Sequence, residues 1–181
     1  FATSSIKAAR AYYQEFKRQQ ADLPEARRLS VGIIYSYAPN AEAPGTGLLS
    51  EESMDPSALS QDDRAFLDEA IADYNQQFGA SFGTDASGFE HYYEHLSRAL
   101  AEKRIDLVIV VDMFLTGFDS KSLNTLWVDK NLRAHGLIQA FSRTNRILNS
   151  VKTYGNIVCF RNLEQATEDS IALFGNKEAR G

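Results

Sequence analysis

Three residues, Gln139, Arg143 and Arg146, carry the most distinctive spacing in the chain. At about 100° per residue on a helix, Arg143 lies about 40° from Gln139, and Arg146 about 20° on its other side. The spacing predicts one polar stripe on a helix beginning after Gly136. Leu137, Ala140, Phe141, Ile147 and Leu148 fall on the opposite arc, where they would bury against a sheet. Two guanidinium forks held in one direction present paired donors, and a polyphosphate is the common ligand that suits them best.

The elements ahead of that helix must position it. Leu107-Val108-Ile109-Val110-Val111 is an unbroken apolar, β-branched run, as expected of a strand covered on both faces of a parallel sheet. A loop, Met113-Phe114-Leu115-Thr116-Gly117-Phe118-Asp119, follows it, and then a second strand, Thr125-Leu126-Trp127-Val128.

Earlier in the chain, Thr3-Ser4-Ser5 offers helix N-caps ahead of Ile6, Ala9, Tyr13 and Phe16, and this helix stops before Pro24. Val31 to Tyr37 is predicted as a strand. Residues 39–59 hold prolines and glycines among acids, which predicts a mobile surface loop that repels DNA. Ser60 with Asp63 forms a capping-box pattern before the apolar face of Phe66, Leu67, Ala70, Ile71, Tyr74 and Phe78. A link marked by Gly79, Gly83 and Gly88 precedes a helix with Phe89, Tyr92, Tyr93, Leu96 and Leu100 inward. Tyr154 to Phe160 is the last strand, and 162–174 a closing helix. Strands alternating with helices predict an α/β fold with a mostly parallel sheet flanked by helices.

With 181 residues, 44% of them hydrophobic and 24% charged, the chain is predicted to be one globular domain. No run is long and apolar enough to span a membrane. The start at Phe1-Ala2-Thr3 has no signal-peptide pattern and is expected to be a fragment boundary. The single cysteine, Cys159, expected in a buried strand, excludes a disulfide framework and fits a reducing cytoplasm. The net charge of −5 is unevenly spread: residues 117–161 carry seven basic and two acidic side chains, whereas nine carboxylates in 42–73 face only Arg64. A globally acidic chain does not coat nucleic acid, but a local basic strip can track a backbone. Lys121, Lys130, Arg133 and Lys152 are either such a strip or simple surface charge.

No Gly-x4-Gly-Lys-Ser/Thr loop is present, so the chain lacks its own phosphate cradle and is not expected to run a nucleotide hydrolysis cycle alone. Asp112 at the end of Val110-Val111 is therefore taken as a strand-end residue, not a Mg²⁺ ligand. His91-Tyr92-Tyr93-Glu94-His95 fits the His-x-x-Glu-His pattern of one class of zinc peptidase. Both histidines, however, share the polar face with Arg98 and Glu102, and the sequence offers no third ligand, so no metal site is expected.

Thr116-Gly117-Phe118-Asp119 after an apolar strand, with Gln139-Ala140-Phe141-Ser142-Arg143-Thr144-Asn145-Arg146 on a helix, resembles motifs V and VI of superfamily 2 helicases. The longer wording is narrower. It runs through Met113 to Asp119, Asn124 to Lys130, Gly136 to Arg146 and Tyr154 to Val158. Together these are similar to the second RecA-like motor domain of the restriction subunit of type I restriction-modification enzymes. The resemblance covers essentially the whole chain, most strongly 89–175.

The resemblance implies a RecA-like, P-loop NTPase-type α/β fold without its own P-loop. It places the RecA-like domain at 1–163, with an acidic loop or insertion at 39–88, and a helix at 164–181 leading toward the next domain. It implies ATP-dependent translocation on double-stranded DNA, with ATP and Mg²⁺ held mainly by a preceding RecA-like domain. A nuclease domain of the same subunit, and methyltransferase and specificity subunits, are the implied partners. Arg143 and Arg146 would be the catalytic, phosphate-sensing pair. Gly117 and Asp119 would approach the nucleotide, and Gln139 would couple that site to the DNA side. Thr116 would lie toward DNA. Thr3, Ser4 and Ser5 match motif IV, where backbone N–H groups and hydroxyls take a DNA phosphate, although the same residues are also an ordinary N-cap. The alternatives are another superfamily 2 translocase domain, or mainly a docking module for the methylase core.

Overall fold

The computed structural model describes residues 1–36, 56, 59–115 and 118–178, the last four by backbone only. Most of the expected loop at 39–59, together with Thr116 and Gly117, lies outside the described residues.

Five strands form one all-parallel sheet: β1 (Ala2–Thr3), β2 (Val31–Ile34), β3 (Leu107–Val110), β4 (Thr125–Asp129) and β5 (Asn156–Cys159), in the order β2-β3-β1-β4-β5. Among the described residues five α-helices flank it: α1 (Ile6–Gln20), α2 (Gln61–Phe78), α3 (Ala86–Ala101), α4 (Ala134–Ser142) and α5 (Glu164–Glu178). This is the parallel α/β arrangement of RecA-like domains.

The central strand is the shortest. Ala2 pairs with Val110 on one side and Val128 on the other, and both residues of β1 are fully buried. Two residues cannot display the alternation from which a strand is recognised, so this element escapes a sequence reading. The strand at 31–37 is shorter than expected: the ladder ends at Ile34, and Tyr35 turns inward to donate its hydroxyl to the Asp63 carbonyl at 2.7 Å.

Helix starts follow the predicted chemistry. Ser5 caps α1, its Oγ accepting from the Ala8 N–H at 3.2 Å, and Ser60 caps α2, accepting from the Asp63 N–H at 3.1 Å. The glycine link is shorter than expected. Gly79 closes α2 in a left-handed conformation (φ +62°), but Gly88 lies inside the first turn of α3, donating to the capping carboxylate of Asp85. Residues 61–78 are part of the main core: Leu67, Ile71 and Tyr74 are buried there, and α2 is tied to α1 by Arg10, which pairs with Asp62 and Asp63. Helix α3 docks through Phe89, Tyr92 and Leu96, all fully buried, and the Tyr92 hydroxyl donates to the Ile33 carbonyl at 2.8 Å.

Cys159 does not occupy a buried strand. It is exposed, because β5 forms the sheet edge and only part of one face is covered by α4 and α5. On the other face Trp127 and Phe160 stack at 6.1 Å and remain 40% and 56% exposed. No helix among the described residues is long and apolar enough to cross a membrane.

Candidate functional site: an arginine pair against the loop before β4

The chain enters α4 from the carboxyl end of β4 and returns toward the amino end of β5. Its apolar arc is partly as predicted, with Leu137 and Ala140 fully buried and Phe141 half-buried. The helix stops at Ser142, however, and Arg143 is its C-cap, so Arg146 does not share a helical stripe with Gln139. The local chemistry explains the early stop. Ser142 Oγ donates to the Gln139 carbonyl at 2.7 Å, Arg143 Nε donates to the same oxygen at 3.0 Å, and Thr144 Oγ1 donates to the Phe141 carbonyl at 3.3 Å. Side-chain donors thus take carbonyls that a continuing helix would need. Ile147 and Leu148, expected on the buried arc, are 64% and 37% exposed in consequence.

The arginines nevertheless converge. Arg143 Nη1 donates to the Phe118 carbonyl. Arg146 Nε lies 3.2 Å from Asp119 Oδ1, with both side chains about half exposed (53% and 54%). The 118–119 segment is held from behind by rings: Phe114 packs edge-on against Phe118 at 4.8 Å and stacks on Tyr93 at 4.9 Å. Phe114 sits at φ +65°, a conformation rare for a non-glycine residue and sustained here by that packing. Of the predicted nucleotide set, Arg143, Arg146, Asp119 and Gln139 are therefore one cluster. Gln139 contributes its backbone carbonyl, and Gly117 lies outside the described residues.

The described part of the predicted DNA set is at the other end of the sheet, where Ser4 and Ser5 follow the carboxyl end of β1. Thr3 is fully buried, its hydroxyl donating to the Val110 carbonyl at 3.1 Å, so its side chain is closed to a ligand. Ser4 and Ser5 are half-buried, and Thr116 is outside the described residues. A residue missed in the sequence lies beside them. Arg161, just past β5, places Nη2 3.4 Å from Ser4 Oγ and Nε 2.9 Å from Asp129 Oδ1. Its position after a strand was the available signal, since ligands of parallel sheets gather at strand carboxyl ends.

The four surface cations divide. Lys121 and Arg133 are exposed. Lys130 is paired with Asp112 and donates to the Val111 carbonyl, which confirms Asp112 as a strand-end residue with a local partner. Lys152 is buried. In α3, His95 Nδ1 shares a 2.8 Å hydrogen bond with the Tyr74 hydroxyl, while His91 faces solvent. Burial, with Arg104 and Arg98 nearby, holds the pKa of the His95 imidazole below its ordinary value. Among the described residues no group of three potential metal ligands comes together, and Asp119 is engaged by Arg146.

Comparison with known proteins identifies the family. Residues 1–162 match the family model described as type I restriction enzyme subunit R domain 3. The chain is 40% identical over 176 residues to a type I restriction enzyme endonuclease subunit of Staphylococcus aureus, and 43% identical over 180 residues to one of Staphylococcus saprophyticus. These alignments cover 96% and 98% of the chain, but 18% of each relative's length. A shorter match, 32% identical over 101 residues, covers 51% of the chain and 10% of the HindI endonuclease subunit of Haemophilus influenzae. The chain belongs to the family of domain 3 of the type I restriction enzyme R subunit.

Proposed function

We propose that this domain supplies the arginine half of an ATP site in a motor that translocates double-stranded DNA within a type I restriction enzyme. The observation that carries the reading is the convergence of Arg143 and Arg146 on the 118–119 segment, away from the strand carboxyl ends where a self-sufficient parallel sheet binds its ligand. Two guanidinium groups with no phosphate-cradling loop are half of a site. A preceding RecA-like domain supplies the other half, with the P-loop and Mg²⁺. Arg143 and Arg146 meet the terminal phosphates when the two domains close, and charge built up in phosphoryl transfer is stabilised there. Asp119 pairs with Arg146 beforehand and so limits where its guanidinium can go. The motor acts in the cytoplasm, together with a nuclease domain and with methyltransferase and specificity subunits.

DNA passes at the opposite end, over Ser4, Ser5 and Arg161. A backbone phosphate there would receive N–H groups from the start of α1 and the Arg161 fork. Ser4→Asp in the full subunit is expected to weaken DNA binding about tenfold by like-charge repulsion, with ATP affinity in the absence of DNA unchanged. Titration of labelled duplex at two salt concentrations checks this; unchanged affinity removes the phosphate contact and leaves Ser5 as a simple cap. A docking role is a compatible second reading, favoured by the exposed Trp127–Phe160 face of the sheet.

A further inference from the structure

Because α4 ends at Ser142, something other than helical geometry must fix Arg146 relative to Arg143. The intervening backbone is held from a single direction. Lys152 is buried, and its Nζ donates to the Thr144 carbonyl at 2.9 Å and to the Arg146 carbonyl. The loop carrying Lys152 is itself closed. Leu148 N–H donates to the Lys152 carbonyl at 3.1 Å, and the Val151 and Lys152 N–H groups donate to Asn149 Oδ1 at 2.9 and 3.1 Å. Gly155 then lies flush on Thr144, where a Cβ would stand 2.1 Å from the Thr144 carbonyl oxygen. Thr144 itself is 1% exposed.

A buried ammonium is costly unless its donors are used. Among the described residues no ion pair involves Lys152, so backbone carbonyls compensate it. The two carbonyls are those of the residue next to Arg143 and of Arg146 itself. From this we infer that Lys152 is a positioning residue: its ammonium, with Gly155 as the flat wall opposite Thr144, sets the backbone from which Arg143 and Arg146 reach the phosphates. The inference rests on the arginine role proposed above. It assigns Lys152 no contact with ATP and none with DNA, in contrast to a surface cation that tracks a nucleic-acid backbone.

A double-mutant cycle in the full-length subunit, assembled with its partner subunits, tests this by DNA-stimulated release of labelled phosphate. Lys152→Met keeps the length and apolar stem but removes the donors. It is expected to lower kcat about tenfold or more, with KM for ATP and duplex affinity within about twofold of wild type. In an Arg146→Ala background the same change should cost less than about threefold, because its effect passes chiefly through Arg146, whose own carbonyl Lys152 holds. Lys152→Gln, which keeps a donor, should recover part of the rate. Multiplicative losses overturn the proposal, as does Lys152→Met turning over like wild type while Arg146→Ala does not. A melting temperature that collapses for both Met and Gln variants also overturns it, since Lys152 would then hold the fold as a whole. Near-normal turnover in Arg146→Ala itself is a different failure, that of the arginine reading.

Discussion

Arg143→Ala and Arg146→Ala in the full subunit are each expected to lower DNA-stimulated ATP hydrolysis by at least about a hundredfold, while duplex binding persists. An arginine aimed at a transferring phosphoryl group acts on charge that exists only in the transition state. In other nucleotide hydrolases that contribution is on the order of 10³–10⁵ in rate. The structure adds a distinction between the two. The Arg146 side chain is about half exposed and pairs with Asp119 at the surface, so its loss leaves the fold untouched. Arg143 also donates to the Phe118 and Gln139 carbonyls, so its removal frees the C-terminus of α4 and the loop before β4 as well. Arg143→Ala should therefore lower the melting temperature slightly, and Arg146→Ala should not. Lysine is expected to rescue neither, because a point charge cannot reproduce a planar fork. Steady-state hydrolysis with saturating duplex, together with thermal melts, measures both effects.

The largest stability effect is expected in α3, at a residue flanked by the two histidines of the peptidase-like pattern. Tyr92 is fully buried, lies edge-on to Tyr74 at 5.1 Å and hydrogen-bonds the Ile33 carbonyl. Tyr92→Ala deletes a large ring from a packed core, and such truncations cost about 3–5 kcal/mol. His91→Ala, one position away on the solvent side, should change stability by less than about 0.5 kcal/mol. Tyr92→Phe isolates the hydroxyl and is expected to cost about 1 kcal/mol. Chemical denaturation of the three variants orders them. A His91 variant as damaging as Tyr92→Ala would show that the histidine face carries structure this account does not assign.

How far the sequence carried this account varies with the physics of each element. Strand β3 was legible as an unbroken run of β-branched residues, and the helices α1, α2 and α3 because their apolar periodicity spans many residues. Their caps, Ser5 and Ser60, were legible because N-capping is a local bond between a side chain and an N–H three residues on. Strand β1 was not, since two buried residues owe their conformation entirely to neighbours contributed from positions around 110 and 128.

The arginine site was legible in residue type but not in geometry. Helical spacing put Arg146 on a stripe with Gln139, whereas the helix yields at Ser142 to the competing donors of Ser142, Arg143 and Thr144. The two arginines still meet one segment, through tertiary contacts at Phe118 and Asp119. Lys152 was the opposite case. In sequence it is one more cation in a basic stretch, and only the return of its loop onto Thr144 reveals a buried clasp. Thr3 differs from expectation for a similar reason. Its type suits a phosphate contact, but its hydroxyl is spent on the Val110 carbonyl inside the sheet.

The most direct test of the arginine role is a binding ratio. The full subunit on duplex DNA should bind ADP with aluminium fluoride, a mimic of the transferring phosphoryl group, far more tightly than ADP alone. Arg143→Ala and Arg146→Ala are each predicted to leave ADP affinity within about twofold, yet to weaken the fluoride complex by about a hundredfold. Equal affinities of wild type and both variants for the fluoride complex would contradict the assignment of these arginines to the transition state.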